Sequence, residues 1–275
     1  MRVFWQDIFQ TKTKEIPLKD MTDEDIFYLR QNLNFLDMMA PENIELFKQY
    51  TIQGREEFAY ETNSLVFYLP HEATEAAVHE DKAAMRAAPQ GFKICALNGL
   101  NVGCGGRYVN KHLIPIDIMR SEDVSEPDAH NSFISNALLA NPDDLPFQSG
   151  TLDYIVSLHM LEHVTNPVEV LRHWHDLLKP GGGIGLILPN FRYTWNAATD
   201  TTKFGHKWNP EPSKFSELYE NSLKDLFVLE HFNTLERKIS FDVVLRKPGK
   251  FEPFKISESS TIHTGADLFK SGKML

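Results

Sequence analysis

Residues 99–117, GLNVGCGGRYVNKHLIPID, decide the fold. Leu100, Asn101 and Val102 read as a short buried strand that breaks at Gly103, Gly105 and Gly106, where side chains would block a ligand approaching the backbone. A second strand, HLIPID, ends at Asp117. In an open α/β sheet ligands sit outside the carboxyl ends of the strands, and an acid ending the second strand can accept hydrogen bonds from ribose hydroxyls. The dinucleotide fingerprint is incomplete, because Tyr108 stands where a third glycine would let a helix pack close to the strand. A pyrophosphate cradle is therefore disfavoured. A cofactor with ribose and adenine but no phosphate needs only the tight turn and the acid. The segment RYVNKH is too short for an ordinary parallel crossover, so the first crossover helix is expected to be reduced or absent.

Downstream, the chain alternates strand and helix signals. The polar stretch after Asp117 leads to a strand expected near residues 133–136, and Tyr154 to Leu158 form the clearest strand of the chain. NPVEVLRHWHDLLKPGGG has apolar residues at helical spacing, with Pro167 in the first turn and a stop expected at Gly181. GIGLILP reads as a buried strand. The aromatic and polar run FRYTWNAATDTTKFGHKWNPEP is a long loop of the kind that carries function, SKFSELYENSL is helical, and FVLEHFNTLE with ISFDVVLRKP make a terminal β pair. Upstream, residues 1–92 read as a mainly helical extension or cap: MTDEDIFYLRQNLNFLDMM, APENIELFKQY and HEATEAAVHEDKAAMRAA carry helical spacing, with SLVFYL as a β-like run between the last two. The tail, residues 248–275, is polar.

Composition sets limits on partners. With 275 residues, 42% hydrophobic and 24% charged, the chain can bury one large α/β domain plus an extension. A formal charge of -10 disfavours nucleic acid as the partner. No stretch has the length of a transmembrane segment, and MRVFWQDIFQTK lacks the apolar run of a secretion signal, so a cytoplasmic protein is expected. Cys95 and Cys104 form no disulfide framework and no metal knuckle, and read as packing residues.

LNVGCGGR, Asp117, DDLPFQSGTLDYIVSLHMLEHV and LLKPGGGIGLILPN, in this order and spacing, resemble class I S-adenosylmethionine-dependent methyltransferases over residues 93–247. The resemblance implies a Rossmann-like, seven-stranded, mostly parallel sheet with helices on both faces. It also implies S-adenosyl-L-methionine as cofactor. Gly103, Cys104 and Gly105 would then lie against the methionine portion, Asp117 would hold the ribose, Asp144 and Leu145 would flank the adenine, and Ser157 to His159 would line the methyl-transfer face. Asn141 stands where many members carry an acid for the adenine amine, and its amide oxygen can accept the same bond. The short crossover, the SLHMLEHV form and the aromatic loop look like members associated with polysaccharide biosynthesis.

Methyl transfer from a sulfonium is an in-line displacement, which requires an aligned and nucleophilic acceptor. His159, Glu162 and His163 form an HxxEH cluster where the strand opens into the site. It resembles the ExxEH metal set of ubiquinone-pathway and small-RNA O-methyltransferases. The cluster could hold a divalent metal such as magnesium, or His159 or His163 could act as general base; the alternative is that Glu162 and His163 brace the turn. His206 offers a further ligand or base, or is an exposed loop histidine. Arg192, Tyr193, Trp195 and Trp208 suit a sugar face, or pin the loop to the core. O-methylation of a glycan hydroxyl is the leading expectation; a small phenol or quinone acceptor and a non-catalytic interaction module are the alternatives.

Overall fold

In the computed structural model of the chain, the residues described are 14–17, 75–107, 109–110, 112–119, 137–194, 196–199, 205–235, 239–253 and 259–262. The expected helices before residue 70, the SLVFYL run and the expected strand at residues 133–136 lie outside them. The chain divides into two compact units, one of residues 70–92 and 97–252, the other of residues 1–69, 93–96 and 253–275. In the latter, β1 (Lys14–Pro17) pairs antiparallel with β9 (Ser259–Ile262), so part of the polar tail is in a ladder.

The larger unit carries a seven-stranded sheet built from β2 (Gly99–Val102), β3 (Leu113–Asp117), β4 (Leu138–Leu139), β5 (Leu152–Leu158), β6 (Leu178–Pro189), β7 (Val228–Thr234) and β8 (Ser240–Arg246). Their spatial order is β4-β3-β2-β5-β6-β8-β7. The ladders are parallel from β4 to β6, and β8 runs antiparallel to both neighbours. This is the expected Rossmann-like architecture, with the terminal β pair at one edge. β5 is buried at every position, as a central strand covered on both faces must be. Between β2 and β3 no helix occurs among the described residues, in keeping with the short RYVNKH connection.

Helix α2 (Pro167–Leu177) starts where expected: Asn166 accepts from the Glu169 N–H, and Pro167 occupies a position whose N–H would have had no helical partner. Val170, Leu171, Trp174 and Leu177 are its buried face. It stops four residues before Gly181, since Leu178 already belongs to β6 and pairs with Leu152 of β5. Tyr154 then pairs with Gly183, so residues 179–182 bulge from the ladder, and Gly181 takes a positive φ of 74° inside that bulge.

Helix α1 (Glu75–Ala84) and the 3-10 turn Met85–Ala87 belong to the sheet-bearing unit. Their docking depends on two glycines of β6. A β carbon on Gly185 would fall on the Ala84 carbonyl oxygen, and one on Gly183 on that of Ala87. Ala83, Ala84 and Ala87 are buried in this close approach. Helix α3 (Pro212–Ser222) follows the long loop and buries Phe215, which lies 6.2 Å from the Phe241 ring centroid.

Candidate active site

The turn after β2 is held by backbone groups. Gly103 and Gly105 have positive φ of 70° and 50°. The N–H groups of Gly103 and Cys104 donate to the Ile116 carbonyl at 2.9 and 3.0 Å, which clamps the turn onto β3. Asp117 completes the lock: its Oδ2 accepts from the Gly105 N–H and its Oδ1 from the Ile118 N–H, both at 2.8 Å. Burial raises the Asp117 pKa against these bonds. Cys104 is buried beside it, and burial together with the Asp117 charge pushes its thiol up, as suits a packing residue rather than a reactive one.

The segment expected beside the adenine is tied down by α2. The Asp144 N–H donates to the Asn141 carbonyl at 3.1 Å, leaving both side chains on the exposed side, while Leu145 is buried. Two α2 side chains fix this turn. His173 Nε2 accepts from the Leu145 N–H at 2.9 Å, and the Trp174 indole N–H donates to the Pro142 carbonyl at 2.7 Å. Burial holds the His173 pKa below its ordinary value, although Asp144 and Asp176 pull the other way. Sequence reasoning assigned His173 no role. His175, its neighbour, packs edge-on against Phe227.

At the carboxyl end of β5 the HxxEH cluster divides. Ser157 is buried, and its Oγ has no hydrogen-bond partner among the described residues. His159 follows with φ of 52°, a left-handed conformation uncommon for residues other than glycine. Its Nε2 bonds Glu80 Oε1 of α1 at 3.1 Å. Burial lowers the His159 pKa, but the hydrogen bond and charge of Glu80 outweigh it and raise the value overall. Glu80 also accepts from Arg107 Nη1 at 2.9 Å and Ser240 Oγ at 2.8 Å. Burial opposes its ionisation, and these partners still bring its pKa down to about 2.

Glu162 turns the other way. It lies in the 3-10 turn Leu161–His163, fully enclosed, with Oε1 3.9 Å from both His163 Nε2 and His206 Nε2. Its Oε2 is buried and has no partner among the described residues, and burial raises its pKa against the attraction of His159 and His163. The His163 and His206 rings meet edge to face at 4.9 Å. Among the described residues, the group whose ligand atoms converge within 4.8 Å is Glu162, His163 and His206. The expected set of His159, Glu162 and His163 is thus rearranged: Glu80 engages His159, and His206 converges with the other two. His206 is 5% exposed, not a surface histidine.

The long loop reaches this place because it folds back on the 3-10 turn. The Lys207 N–H donates to the Glu162 carbonyl at 2.7 Å, and the Trp208 indole N–H to the Leu161 carbonyl at 2.9 Å. Of the residues expected to face a sugar, Trp208 is therefore an anchor, and Arg192 donates to Glu211 Oε2 at 2.7 Å. Tyr193 is 57% exposed, and Trp195 lies outside the described residues.

Residues 100–186 match the family described as "Methyltransferase domain". The chain is 29% identical over 165 residues to a Mus musculus protein named "Arginine-hydroxylase NDUFAF5, mitochondrial", covering 56% of this chain and 47% of that one. It is 30% identical over 97 residues to "Ubiquinone biosynthesis O-methyltransferase" of Shewanella pealeana, covering 30% and 39%. The matched stretches thus span under half the length of both curated relatives. A chain in the solved complex of the Haloferax volcanii Trm112 methyltransferase activator and a methyltransferase aligns with a TM-score of 0.48 and 14% identity, over 74% of this chain and 98% of that one. No helix among the described residues is long and apolar enough to cross a membrane. The glycine turn and the acid ending β3 lie in the stretch that matches the methyltransferase-domain family, and with this strand order the fold is that of the class I S-adenosylmethionine-dependent methyltransferases.

Proposed function

We propose that the chain transfers a methyl group from S-adenosylmethionine to a hydroxyl oxygen of its acceptor. The observation that carries this is the convergence of Glu162, His163 and His206 at the carboxyl end of β5, beside the strand whose neighbour opens into the glycine turn. The residues present suit the cofactor. Asp117 stands at the carboxyl end of β3, its carboxylate held in place by the Gly105 and Ile118 N–H groups, where it would accept from a ribose hydroxyl. Gly103, Cys104 and Gly105 would flank the methionine portion, and Asn141, Asp144 and Leu145 the adenine. When bound, S-adenosylmethionine supplies a methyl on a sulfonium, and the acceptor oxygen gains the O–C bond as the S–C bond breaks and its proton leaves.

Glu162, His163 and His206 also suit a divalent cation, because the buried Glu162 Oε2 has no partner among the described residues and two imidazoles face the carboxylate. A cation there would lower the pKa of an acceptor hydroxyl. Two nitrogen donors with one carboxylate favour zinc, iron or another imidazole-binding first-row ion over magnesium, which takes oxygen ligands.

For the acceptor, the loop gives a glycan little support, since Arg192 and Trp208 are engaged within the protein. A small phenol is favoured by the likeness to the relative named for ubiquinone O-methylation. Calorimetry with S-adenosylmethionine and its demethylated product tests the cofactor; no binding at millimolar concentration ends the proposal. Labelled methyl offered with phenols and glycans in parallel tests the acceptor, and label entering glycans alone reverses its class.

One observation favours a second reading. Two imidazoles and a carboxylate are also the donor set of non-haem iron oxygenases, and a matched relative is named as an arginine hydroxylase. Such a reaction would insert one oxygen atom from dioxygen into a C–H bond and reduce the other to water with two electrons from an external donor. Ferrous iron, dioxygen, reductant and arginine peptides, followed by mass spectrometry for one added oxygen, separate it from methyl transfer.

A further inference from the structure

Glu80 lies on α1, ahead of the matched methyltransferase residues, and the chemistry above gives it no part. Its carboxylate is buried, and among the described residues its hydrogen bonds run to three places at the ends of the strands: His159 after β5, Arg107 at the close of the glycine turn, and Ser240 at the start of β8. A buried carboxylate is costly unless fully bonded, so a purely structural α1 would do better without one. Docking of α1 is already served by Gly183 and Gly185 against the Ala87 and Ala84 carbonyls. Arg107 is held independently by Asp81, at 2.9 Å.

His159 is the partner whose geometry needs outside support. Its backbone has φ of 52°, its N–H donates to the Ile187 carbonyl at 2.9 Å, and its side chain is 38% exposed. Nε2 is committed to Glu80, and no hydrogen bond runs to Nδ1 among the described residues. We propose that Glu80 is a positioning residue of this site: it fixes the His159 ring through Nε2, so that Nδ1 is the nitrogen that takes the proton from the acceptor hydroxyl. The proton passes from the acceptor O–H to Nδ1 as the O–C bond forms and the S–C bond breaks, and Nε2–H stays donated to Glu80. This rests on the proposed methyl transfer to a hydroxyl. It places one residue of the working site outside the domain that the family match covers.

The test uses the full chain as wild type, Glu80→Gln, His159→Ala and the double variant. Glu80→Gln keeps the volume and an acceptor oxygen but removes the charge. Expected are a roughly tenfold to hundredfold fall in kcat for Glu80→Gln, the scale of a misplaced reacting group, with S-adenosylmethionine affinity within about threefold because Asp81 still holds Arg107. In the double variant kcat should match that of His159→Ala within about threefold, since a residue acting through another adds nothing once that other is gone. Glu80→Gln should also move the His159 ring signals in the NMR spectrum of histidine-labelled protein. Fully multiplicative losses, an unchanged kcat in Glu80→Gln, or unmoved ring signals would each overturn the proposal. If wild type transfers no methyl to any hydroxyl, the functional proposal fails, and the His159 ring signals alone decide whether Glu80 holds the ring.

Discussion

The two halves of the proposed site, one for the cofactor and one for the acceptor, are built from different materials. On the cofactor side, the turn after β2 is held by three backbone N–H groups, one carbonyl and a single carboxylate. The acceptor side consists of ionisable side chains from four separate places: Glu80 on α1, His159 after β5, Glu162 and His163 on the 3-10 turn, and His206 on the long loop. A backbone cradle tolerates change at most side chains and breaks where a β carbon or a lost acceptor intrudes. A side-chain cluster tolerates backbone strain, as at His159, and breaks with any one member. Losses in cofactor affinity and losses in turnover should therefore separate by region.

The largest effect should come from the acceptor side. Removing the carboxylate in Glu162→Gln, or removing a bound cation with a chelator, should cut kcat by about a hundredfold or more, given the several kcal/mol a metal ion contributes to such a transition state. Cofactor affinity, measured by calorimetry, should stay within a few fold. Chelation without effect, while Glu162→Gln remains folded and inactive, would leave the three residues as a braced turn and remove the cation from the proposal. The converse belongs to the cofactor side. Asp117→Asn should weaken S-adenosylmethionine binding by roughly tenfold to a hundredfold, the scale of a hydrogen bond to a charged group. It should leave kcat at saturating cofactor nearly unchanged. A fall in kcat as large as the loss of affinity would erase the division between the halves.

The same contrast governs what the sequence made legible. The glycine turn and its acid fall within residues 99–117, so spacing and glycine positions suffice to find the turn, the acid and the strand ends. The acceptor side is assembled through space. Glu80 stands on a helix that composition groups with the extension, and nothing local shows that Gly183 and Gly185 let that helix lie against β6. His206 reads as a loop histidine because its burial comes from Lys207 and Trp208 binding back to the Glu162 and Leu161 carbonyls. The HxxEH spacing drew attention to the end of β5, where Glu162 and His163 converge with His206. It could not show that a positive φ at His159 sends that ring to Glu80, away from its two neighbours in the motif. The early helix stop has a similar cause, since the bulge at residues 179–182 depends on pairing with β5.

Docking of α1 offers a break of intermediate size. Gly185→Ala puts a methyl on the Ala84 carbonyl oxygen, and overpacking of this kind costs about 1 to 3 kcal/mol. Urea unfolding should show that loss as a lower midpoint at unchanged slope. Because α1 carries Glu80, turnover should fall as well, while cofactor affinity changes little. An Ala variant as stable as wild type would show that α1 is free to shift, and would remove the rigid base from which Glu80 acts.

The smallest effect lies where α2 meets the turn at residues 141–145, proposed to flank the adenine, and it carries a sign. His173 Nε2 accepts the Leu145 N–H, so the bond needs a neutral ring. Burial depresses the His173 pKa in the folded chain, with Asp144, Asp176 and Asp143 opposing it. The unfolded chain, with an imidazole pKa of about 6.5, therefore binds the proton more readily. The stabilisation is complete above the unfolded value and disappears as pH falls through the folded one. One such hydrogen bond is worth about 1 kcal/mol, or roughly fivefold in affinity. S-adenosylmethionine binding should thus weaken on acidification by about that factor as the turn at residues 141–145 loosens. Asp117, whose pKa burial raises, adds its own loss on the acid side. His173→Gln isolates the histidine, because the amide oxygen can take the same N–H without titrating. A His173→Gln chain with the wild-type pH profile would show that the imidazole contributes nothing to the acid response of the cofactor side.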